Sequence, residues 1–227
     1  MTALDHLRRA LRLFGLIALG LAAGVVALLV VWRFAPPIST PMLARWVTGE
    51  RVERVWRPIE TLDRDLIVAV IASEDGGFCH HHGVDWEELM DVLDDEDGPK
   101  RGGSTITMQV AKNLFLWPGR SYVRKAIEIP LALAIDLVWS KRRILEVYLN
   151  IAEWGPNGEF GIEAGVRRAF GHGAERITPP EAALLAVTLP NPHRRHPASP
   201  SAGLRRVAGI IAGRAAKSPE VADCVRD

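Results

Sequence analysis

The distribution of apolar residues divides the chain into one long apolar run near the N-terminus and a series of shorter amphipathic stretches. The run of 20 residues from Leu13 to Trp32 carries no charge. As a helix it would span about 30 Å, the thickness of a bilayer core, because each residue adds about 1.5 Å. Soluble helices are rarely apolar on every face over this length. We therefore predict one transmembrane helix over residues 13–34.

A cleaved signal peptide is the alternative interpretation of this run. Its cleavage site needs small residues, whereas bulky ones stand at Val31–Phe34. Retention of the segment as an anchor is therefore the prediction. Arg8, Arg9 and Arg12 precede the run. The positive-inside rule then places residues 1–12 in the cytoplasm and everything after the anchor on the other side of the membrane.

Apolar residues at three- and four-residue spacing predict helices along the rest of the chain. Ser121 and Ser140 are predicted N-caps, and Thr178 and Glu181 form a predicted capping box. Pro130 is expected to kink the longest helix. The predicted helices cover about residues 61–71, 85–93, 105–116, 122–139, 141–150, 162–170, 179–189 and 201–216. No segment shows strand alternation or hairpin turn chemistry.

These patterns predict an all-α domain of about eight helices over residues 59–227. Residues 35–58 are predicted to be a membrane-proximal linker. It begins with the proline-rich stretch APPISTP at residues 35–41, which is typical of a stiff, non-helical tether. A charged loop containing glycine and proline is predicted at residues 94–103.

Positive charge is concentrated in one part of the chain. The 227 residues carry a formal net charge of only +1, which excludes a disordered charged tail and gives no support to nucleic-acid binding. Residues 112–143, however, contain seven Lys/Arg against Glu128 and Asp136, an excess of +5. A local cationic patch of this kind suits a compact anionic ligand.

The two cysteines do not indicate a disulfide framework. Cys79 and Cys224 lie far apart in the sequence, and neither has the surroundings of a nucleophile. An oxidising compartment would permit a bridge between them, but the sequence does not favour one.

The first candidate for catalysis is the segment Glu74–Asp85, EDGGFCHHHGVD, which follows a predicted apolar helix. A carboxylate at the mouth of an apolar wall can have the raised pKa that a general acid or base requires. A solvated helix end with surface histidines is the alternative. A metal site is less favoured, because consecutive histidines point in different directions and no second metal-spaced group follows.

Two further segments contribute candidate binding residues. Gly102–Asn113 combines glycine, hydroxyl residues and a helix start, which is typical of an anion-accepting surface and also of an ordinary helix N-terminus. Arg124, Lys125 and Glu128 share one helix face. They could form a salt-bridged surface, but the helix continues as IPLALAIDLVW, which favours the opening of a cleft.

The last candidate segment, Ser140–Asn150, begins with basic residues and continues as an amphipathic helix. Such a helix ordinarily packs with one face in solvent. We expect this ordinary role for Glu146 and Tyr148, and we predict a ligand-binding role for Lys141 alone.

Taken in order, these segments resemble the family 51 glycosyltransferases, the peptidoglycan glycosyltransferase module. The motif E-D-x-x-F-x-x-H-x-G begins at Glu74, G-x-S-T-I-T-x-Q at Gly102, R-K-x-x-E at Arg124 and K-x-x-I-L-E-x-Y-L-N at Lys141. Four ordered motifs over roughly residues 60–190 make the match specific.

Two positions depart from the family pattern. Met108 stands where many members have a first glutamine, although Gln109 keeps the second. Pro130 is unusual in the long helix and is expected to affect only the geometry beyond Glu128. No Ser-x-x-Lys stands in a plausible context, so the chain resembles the monofunctional members, which lack a transpeptidase domain.

The resemblance implies a lysozyme-like helical lobe, a smaller membrane-proximal lobe, and polymerisation of lipid II with inversion. It implies Glu74 as the general base and Glu128 as a second catalytic carboxylate, which would orient cations or hold a divalent ion, Mg²⁺ or Mn²⁺. No organic cofactor is implied. The implied substrate-binding residues are Asp75, His81, Ser104, Gln109, Lys112, Asn113, Arg120, Arg124, Lys125 and Lys141.

The resemblance also implies partners and a location. The substrates would be lipid II and the growing glycan strand, and cell-division or elongation proteins could associate with the enzyme. The protein would lie in the bacterial inner membrane, with its catalytic domain in the periplasm.

Two other functions remain open from the sequence. A lytic transglycosylase or lysozyme-type hydrolase would share the fold and one glutamate, but it has no departing diphosphate and needs no cationic cluster. A non-catalytic scaffold of wall synthesis would not need both Glu74 and Glu128.

Overall fold

The computed structural model describes residues 3–94, 103–119 and 121–225. The chain divides after Ala35 into two compact units. Most of the predicted charged loop at residues 94–103 lies outside the described residues.

The first unit consists of one helix, α1, over Ala3–Trp32. The stretch of 29 residues from Leu4 to Trp32 is long and apolar enough to cross a membrane. The predicted N-terminal apolar helix is therefore confirmed, and it fits a membrane anchor. It begins earlier than predicted, because the arginines that precede the apolar run also belong to the helix.

The second unit is almost entirely helical, which confirms the predicted all-α fold. Its α-helices are α2 (Thr40–Val47), α3 (Arg64–Glu74), α4 (Trp86–Asp94), α5 (Ile106–Phe115), α6 (Tyr122–Val138), α7 (Lys141–Ile151), α8 (Ile162–Phe170), α9 (Pro179–Ala186) and α10 (Ala202–Lys217). Short 3₁₀ helices lie at Ile59–Thr61, Ala174–Arg176 and Pro219–Val225.

The predicted helix caps are present. The side chains of Ser121 and Ser140 accept hydrogen bonds from backbone N–H groups one turn into α6 and α7, at 3.4 Å and 3.3 Å. Thr178 and Glu181 form the capping box that begins α9. α6 continues through Pro130 to Val138, so the proline does not end the helix.

The buried core surrounds α3. Six consecutive residues of this helix, Leu66–Ile71, are buried, so the helix is enclosed on every face. It packs against α9 and α10, while α5 packs against both α6 and α7. Because α3 ends at Glu74, an apolar helix delivers a carboxylate from the centre of the domain to its cleft.

The segment predicted as a linker, residues 35–58, contains a helix that packs on the domain. α2 begins at Thr40, and Ser39 caps it by accepting a hydrogen bond from the Met42 N–H at 3.4 Å. The hydroxyl of Thr40 donates to the carbonyl oxygens of Asn113 and Leu116, at 3.2 Å and 2.5 Å. α2 is therefore fastened to the C-terminal end of α5.

A short strand pair is a second difference from the sequence prediction. β1 (Glu53–Arg54) pairs in parallel with β2 (Glu159–Phe160). Gly158 precedes β2 with φ +82°, and a Cβ at this position would lie 2.0 Å from the carbonyl oxygen of Arg51. Only glycine permits this close approach of the two backbones.

The two cysteines form a disulfide, and the expectation against a bridge was wrong. Cys79 and Cys224 are 145 residues apart in sequence, yet their Cα atoms lie 5.5 Å apart. The bridge joins the loop after Glu74 to the 3₁₀ helix Pro219–Val225. It therefore ties the segment that carries the first motif to the last part of the described chain.

Candidate active site

A cleft of about 820 Å³ opens in the second unit. It is lined by α2, the end of α3, α5, the first half of α6, α7 and the segment around residues 189–193. Eight of the predicted site residues contribute to its wall: Glu74, Ser104, Gln109, Lys112, Asn113, Arg124, Lys125 and Glu128. The structure thus brings the predicted base, the second carboxylate and three of the predicted cations into one cavity.

The carboxylate of Glu74 is held by the side chain of Gln109, whose Nε2 donates to Oε2 at 3.1 Å. Burial raises the pKa of Glu74. Hydrogen bonds from Gln109 and Ser73 and the positive charges of Arg195 and Lys112 act in the opposite direction. A carboxylate with a raised pKa at a cleft wall is suited to accept a proton.

Asp75 does not line the cleft. Its buried carboxylate lies 3.0 Å and 3.1 Å from Nε2 of His81 and accepts a hydrogen bond from the Ile106 N–H at 2.9 Å. Because Ile106 is the first residue of α5, Asp75 satisfies one of the free N–H groups of that helix. Asp75 and His81 therefore fasten the end of α3 to the start of α5.

The motif glycine, Gly83, lets this loop approach α6. Its φ is +82°, and a Cβ here would lie 2.6 Å from the carbonyl oxygen of Ala132. The hydroxyl of Thr105 donates to the Gly83 carbonyl at 2.6 Å and also accepts from the Met108 N–H at 3.1 Å, capping α5. The hydroxyl of Thr105 in the second motif is thus bonded to the backbone of the first motif.

One face of α5 supplies the middle of the cleft wall. Gln109, Lys112 and Asn113 lie three and four residues apart, so a helix presents them together. The buried hydroxyl of Tyr148 donates to Oε1 of Gln109 at 3.2 Å, which leaves the amide nitrogen of Gln109 to donate to Glu74. Tyr148 therefore orients a cleft residue, whereas the sequence predicted only packing for it.

The ammonium of Lys112 has no hydrogen bond or ion pair with the described residues. Burial lowers the pKa of Lys112. The carboxylates of Glu128 and Glu74 raise it, and the positive charge of Arg124 lowers it. A cation that is partly desolvated and not committed to one partner is available to an anionic ligand.

The cations of α6 are arranged around Glu128, which is 3% exposed. Arg124 forms an ion pair with its Oε1, and the ammonium of Lys125 lies 3.7 Å from its Oε2. Lys125 also donates to the hydroxyl of Ser104 and, at 3.3 Å, to the carbonyl of Gly103. Burial lowers the pKa of Lys125. One buried carboxylate therefore holds two cations beside the start of α5.

Lys141, like Asp75 and His81, is a predicted binding residue that does not line the cleft. Lys141 donates to the carbonyl of His81 at 2.7 Å and pairs with Asp136 at 2.7 Å. Its ammonium also lies 4.8 Å from the ring centre of Phe78. Lys141 thus braces the first motif, and its predicted ligand role stays a prediction. Arg120 lies outside the described residues.

Several cleft residues were not predicted from the sequence. Thr40, Ala44 and Arg45 of α2 form one side, and Glu153 and His193 lie on segments that follow α7 and α9. The motifs contain none of these residues. For Glu153 and His193 the sequence signal is the set of polar residues that follows α7 and α9, which is also typical of ordinary loops.

Comparison with known proteins assigns the chain to a family. The transglycosylase family model matches residues 41–215, which include all four motifs. Two relatives, from Nitrobacter winogradskyi and Rhodopseudomonas palustris (strain HaA2), are each 54% identical to the chain, over 220 and 224 residues. The first match covers 96% of this chain and 97% of the relative, and the second covers 97% and 98%. A Brucella suis protein is 53% identical over 205 residues, covering 88% of this chain and 91% of its own.

All three relatives carry the name biosynthetic peptidoglycan transglycosylase. Identities above one half over almost the whole length leave no large part of the chain unmatched. The matched region contains the end of α3, α5 and the start of α6, which together supply the carboxylates and cations of the cleft. The chain belongs to the transglycosylase family and is a glycosyltransferase of peptidoglycan synthesis.

Proposed function

We propose that this glycosyltransferase polymerises lipid II into β-1,4-linked glycan strands and releases undecaprenyl diphosphate. The observation that carries the proposal is a single cleft in which the buried carboxylate of Glu74 shares the wall with the cations of Lys112, Arg124 and Lys125. A transfer that takes a proton from a sugar hydroxyl and releases a diphosphate needs both kinds of group.

Glu74 acts as the general base of this reaction. The 4-hydroxyl of the acceptor sugar is a poor nucleophile until its proton is removed. As Glu74 accepts that proton, the hydroxyl oxygen forms a bond to the anomeric carbon of the donor. The bond from that carbon to the diphosphate oxygen breaks on the opposite side, so the configuration is inverted.

Lys112, Arg124 and Lys125 stabilise the departing diphosphate. Fixed cations in a cleft with little water can stabilise developing negative charge without reorganising. Glu128 positions Arg124 and Lys125 through its two oxygens. Ser104, Gln109 and Asn113 provide neutral contacts for phosphate or sugar, while Asp75, His81 and Lys141 support the loop behind Glu74.

A resident divalent ion at Glu128 does not fit the observed donor set. Both oxygens of Glu128 already interact with cations, Arg124 and Lys125. Among the described residues, no group of three His, Cys, Asp or Glu side chains could hold a metal. Mg²⁺ favours oxygen ligands in octahedral geometry, and a carboxylate that is fully committed to two cations cannot easily provide one. No step of the proposed reaction therefore passes through a metal bound to the protein.

The proposed location is the inner membrane, with the catalytic domain in the periplasm. The apolar helix α1 supports an anchor, and the arginines before its apolar run support a cytoplasmic N-terminus. The Cys79–Cys224 disulfide supports an oxidising compartment for the second unit. Anchoring is useful to the reaction because both substrates carry a long lipid. Cell-division or elongation proteins are further candidate partners.

Purified full-length protein in detergent, supplied with labelled lipid II, tests the proposal. We expect long glycan polymer and free undecaprenyl diphosphate, with no requirement for added Mg²⁺. A hydrolase would instead shorten preformed glycan strands, and a scaffold would do neither. The absence of polymer from lipid II under conditions where the protein remains folded would contradict the proposed function.

A further inference from the structure

A second group of charged side chains lines the same cleft and takes no part in the proposed reaction. The guanidinium of Arg45 donates to Oε1 of Glu153 from NH2 and Nε, at 2.8 Å and 3.2 Å, and to Glu50 from NH1 at 2.7 Å. Nε2 of His193 lies 3.1 Å from the other oxygen of Glu153. We call Arg45, Glu50, Glu153 and His193 the Glu153 cluster.

The Glu153 cluster has a fixed inner pair and an accessible outer pair. The side chains of Arg45 and Glu153 are 16% and 19% exposed, whereas those of His193 and Glu50 are 52% and 55% exposed. NH2 of Arg45 also donates to the carbonyl of Pro156 at 2.9 Å, which leaves the guanidinium with little capacity for a ligand. Glu50 also accepts from the hydroxyl of Thr48 at 3.2 Å, but more than half of its side chain remains exposed. The inner pair therefore orients, and the outer pair can still contact a ligand.

The contact with Glu153 uses one ring nitrogen of His193, Nε2, and leaves the other, Nδ1, for a ligand. A carboxylate beside Nε2 fixes the proton on that nitrogen, so Nδ1 of the neutral ring accepts a hydrogen bond, and Nδ1 of the charged ring donates one. Among the described residues, no hydrogen bond to Nδ1 of His193 is present. Nδ1 can therefore meet an amide N–H or ammonium group in one protonation state and a carboxylate in the other.

The diphosphate and the peptide of the proposed substrate differ in charge, so they should bind to different walls of the cleft. The diphosphate requires fixed cations, which α5 and α6 supply at the buried part of the cleft. A cleft of about 820 Å³ is within the range that holds one compact ligand, and we expect the diphosphate and its sugars to occupy the part beside these cations. The peptide, which is attached to a sugar, must then extend to the rim. Peptides carry N–H groups, carboxylates and ammonium groups, and these match the mixed charge of the outer pair.

We propose that the Glu153 cluster is a specificity site that recognises the peptide of lipid II, with His193 and Glu50 making the contacts and Arg45 and Glu153 positioning them. The inference rests on the proposed function and extends it to the substrate's peptide. The residues of the Glu153 cluster come from three parts of the chain that the motifs do not cover: α2 with the turn after it, the turn after α7 and the segment after α9.

The test compares two substrates with the same full-length protein: lipid-linked disaccharide that carries the complete peptide, and lipid-linked disaccharide whose peptide is replaced by a methyl amide. The measured quantity is the ratio of kcat/KM for the first substrate to that for the second. We expect wild type to favour the peptide-bearing substrate. We expect His193→Leu to lower the ratio about five-fold, mainly through KM, because one hydrogen bond of about 1 kcal/mol is lost.

Three further variants make the result specific. Glu50→Gln changes an exposed side chain and is expected to lower the ratio even if His193→Leu destabilises the protein. Glu153→Gln is expected to lower it by releasing the His193 ring. His196→Leu is the matched control, because His196 is an exposed histidine on the same segment but does not line the cleft, and its ratio should equal that of wild type.

Two results would overturn the inference: a wild type that does not distinguish the two substrates, or His193 and Glu50 variants whose kcat/KM falls equally for both. The absence of polymer from either substrate with wild type would be a different result. It would contradict the proposed function itself.

Discussion

Glu74 and Asp75 are adjacent in the sequence, but the fold separates their carboxylates. α3 ends at Glu74, which keeps helical geometry and lines the cleft, whereas Asp75 leaves the helix with φ −163° and ψ 75°. Its side chain therefore reaches the start of α5 instead. Glu74 is the proposed proton acceptor, and Asp75 fastens the end of the helix that carries it to the start of α5.

Replacement of Glu74 by Gln is expected to lower kcat by a factor of about 10²–10⁴, the usual contribution of a general base. The amide keeps the size of the side chain but cannot accept the proton. Glycan polymer measured from lipid II checks this, and binding of lipid II should persist. Glu87→Gln is the matched control, because Glu87 is an exposed carboxylate on α4. Undiminished turnover by Glu74→Gln would exclude Glu74 as the base.

Loss of the Gln109 side chain is expected to change the pH dependence of polymerisation. The hydrogen bond from Gln109 lowers the pKa of Glu74 and so opposes the effect of burial. In Gln109→Leu the pKa of Glu74 should rise further. Because the base must be ionised, the acidic limb of the kcat/KM profile should move to higher pH, and the rate should fall earlier as the pH is lowered.

Tyr148→Phe provides the comparison for this experiment. It removes only the hydroxyl that orients Gln109, so its acidic limb should shift in the same direction by a smaller amount. An acidic limb that is unchanged in Gln109→Leu would show that this hydrogen bond does not act on the base.

Most of the residues that line the cleft could be predicted from the sequence, because the spacing of residues along a helix determines which side chains share a face. Gln109, Lys112 and Asn113 must share a face of any helix that contains them. Lys141 belongs to a motif as well, but it lies in the first turn of its helix, and spacing does not determine where such a long side chain ends. His193 could not be predicted, because only tertiary packing brings its segment to the cleft.

At the scale of elements, a buried ionic network joins the segment after β1 to α8. The carboxylate of Glu163 is fully buried and accepts hydrogen bonds from Arg57, Arg167 and the Ala174 N–H, at 2.8 Å, 2.6 Å and 3.1 Å. Burial alone would raise the pKa of Glu163. The hydrogen bonds and the charge of Arg57 outweigh burial and lower the pKa from its ordinary 4.5 to about 2.

This network predicts a specific loss of stability in acid. The pKa of Glu163 is lower in the folded state, so its contribution is complete above about pH 4.5 and is lost as the pH falls towards about 2. We expect Glu163→Gln to lower the free energy of unfolding at neutral pH by about 3 kcal/mol, since the neutral amide loses the ionic contacts that the fully buried carboxylate makes with Arg57 and Arg167. The decline of stability between those two pH values should also be flatter in the variant.

Denaturant unfolding of the full chain at several pH values measures this effect. Glu175→Gln is the control, because Glu175 has a half-exposed side chain that also pairs with Arg57, and its effect should stay within about 0.5 kcal/mol. Equal stability of Glu163→Gln and wild type at neutral pH would contradict the prediction.

Loss of the disulfide is expected to lower the stability of the folded protein strongly. Replacing Cys79 and Cys224 by Ser together is expected to lower the free energy of unfolding by about 2–5 kcal/mol, because the unfolded chain loses a constraint that closes a loop of 145 residues. Urea unfolding in detergent measures it, and wild type with reductant should show the same decrease. An unchanged midpoint in the double variant would mean that helix packing alone supplies the stability of this region.

Two elements escaped sequence prediction for local physical reasons. Pro41 made the start of α2 appear non-helical, but proline is tolerated in the first turn of a helix, where the N–H groups have no partner. The strands Glu53–Arg54 and Glu159–Phe160 are too short to show alternation. The type of an element could be predicted where the spacing of apolar residues repeats over several helical turns. It could not be predicted where one or two residues determine whether a segment is helix or strand.

At the scale of the whole molecule, the chain consists of an apolar helix and a compact helical unit. We expect deletion of residues 1–35 to convert the protein from one that resists carbonate extraction of membranes into one that carbonate releases. The helical circular dichroism of the remaining unit should persist, because α2–α10 form their own core. A deletion variant that stays in the membrane pellet after carbonate would show that the second unit is itself integrated.

The pairing of Cys79 with Cys224 also imposes an order on maturation. In the proposed periplasmic orientation, the bond cannot close until the 144 intervening residues have crossed into the compartment where oxidation takes place. During that interval Cys79 has a free thiol, which can form disulfides with thiols other than that of Cys224. The helices between the two cysteines must therefore pack against one another before the disulfide forms. Oxidation then stabilises a fold that is already assembled.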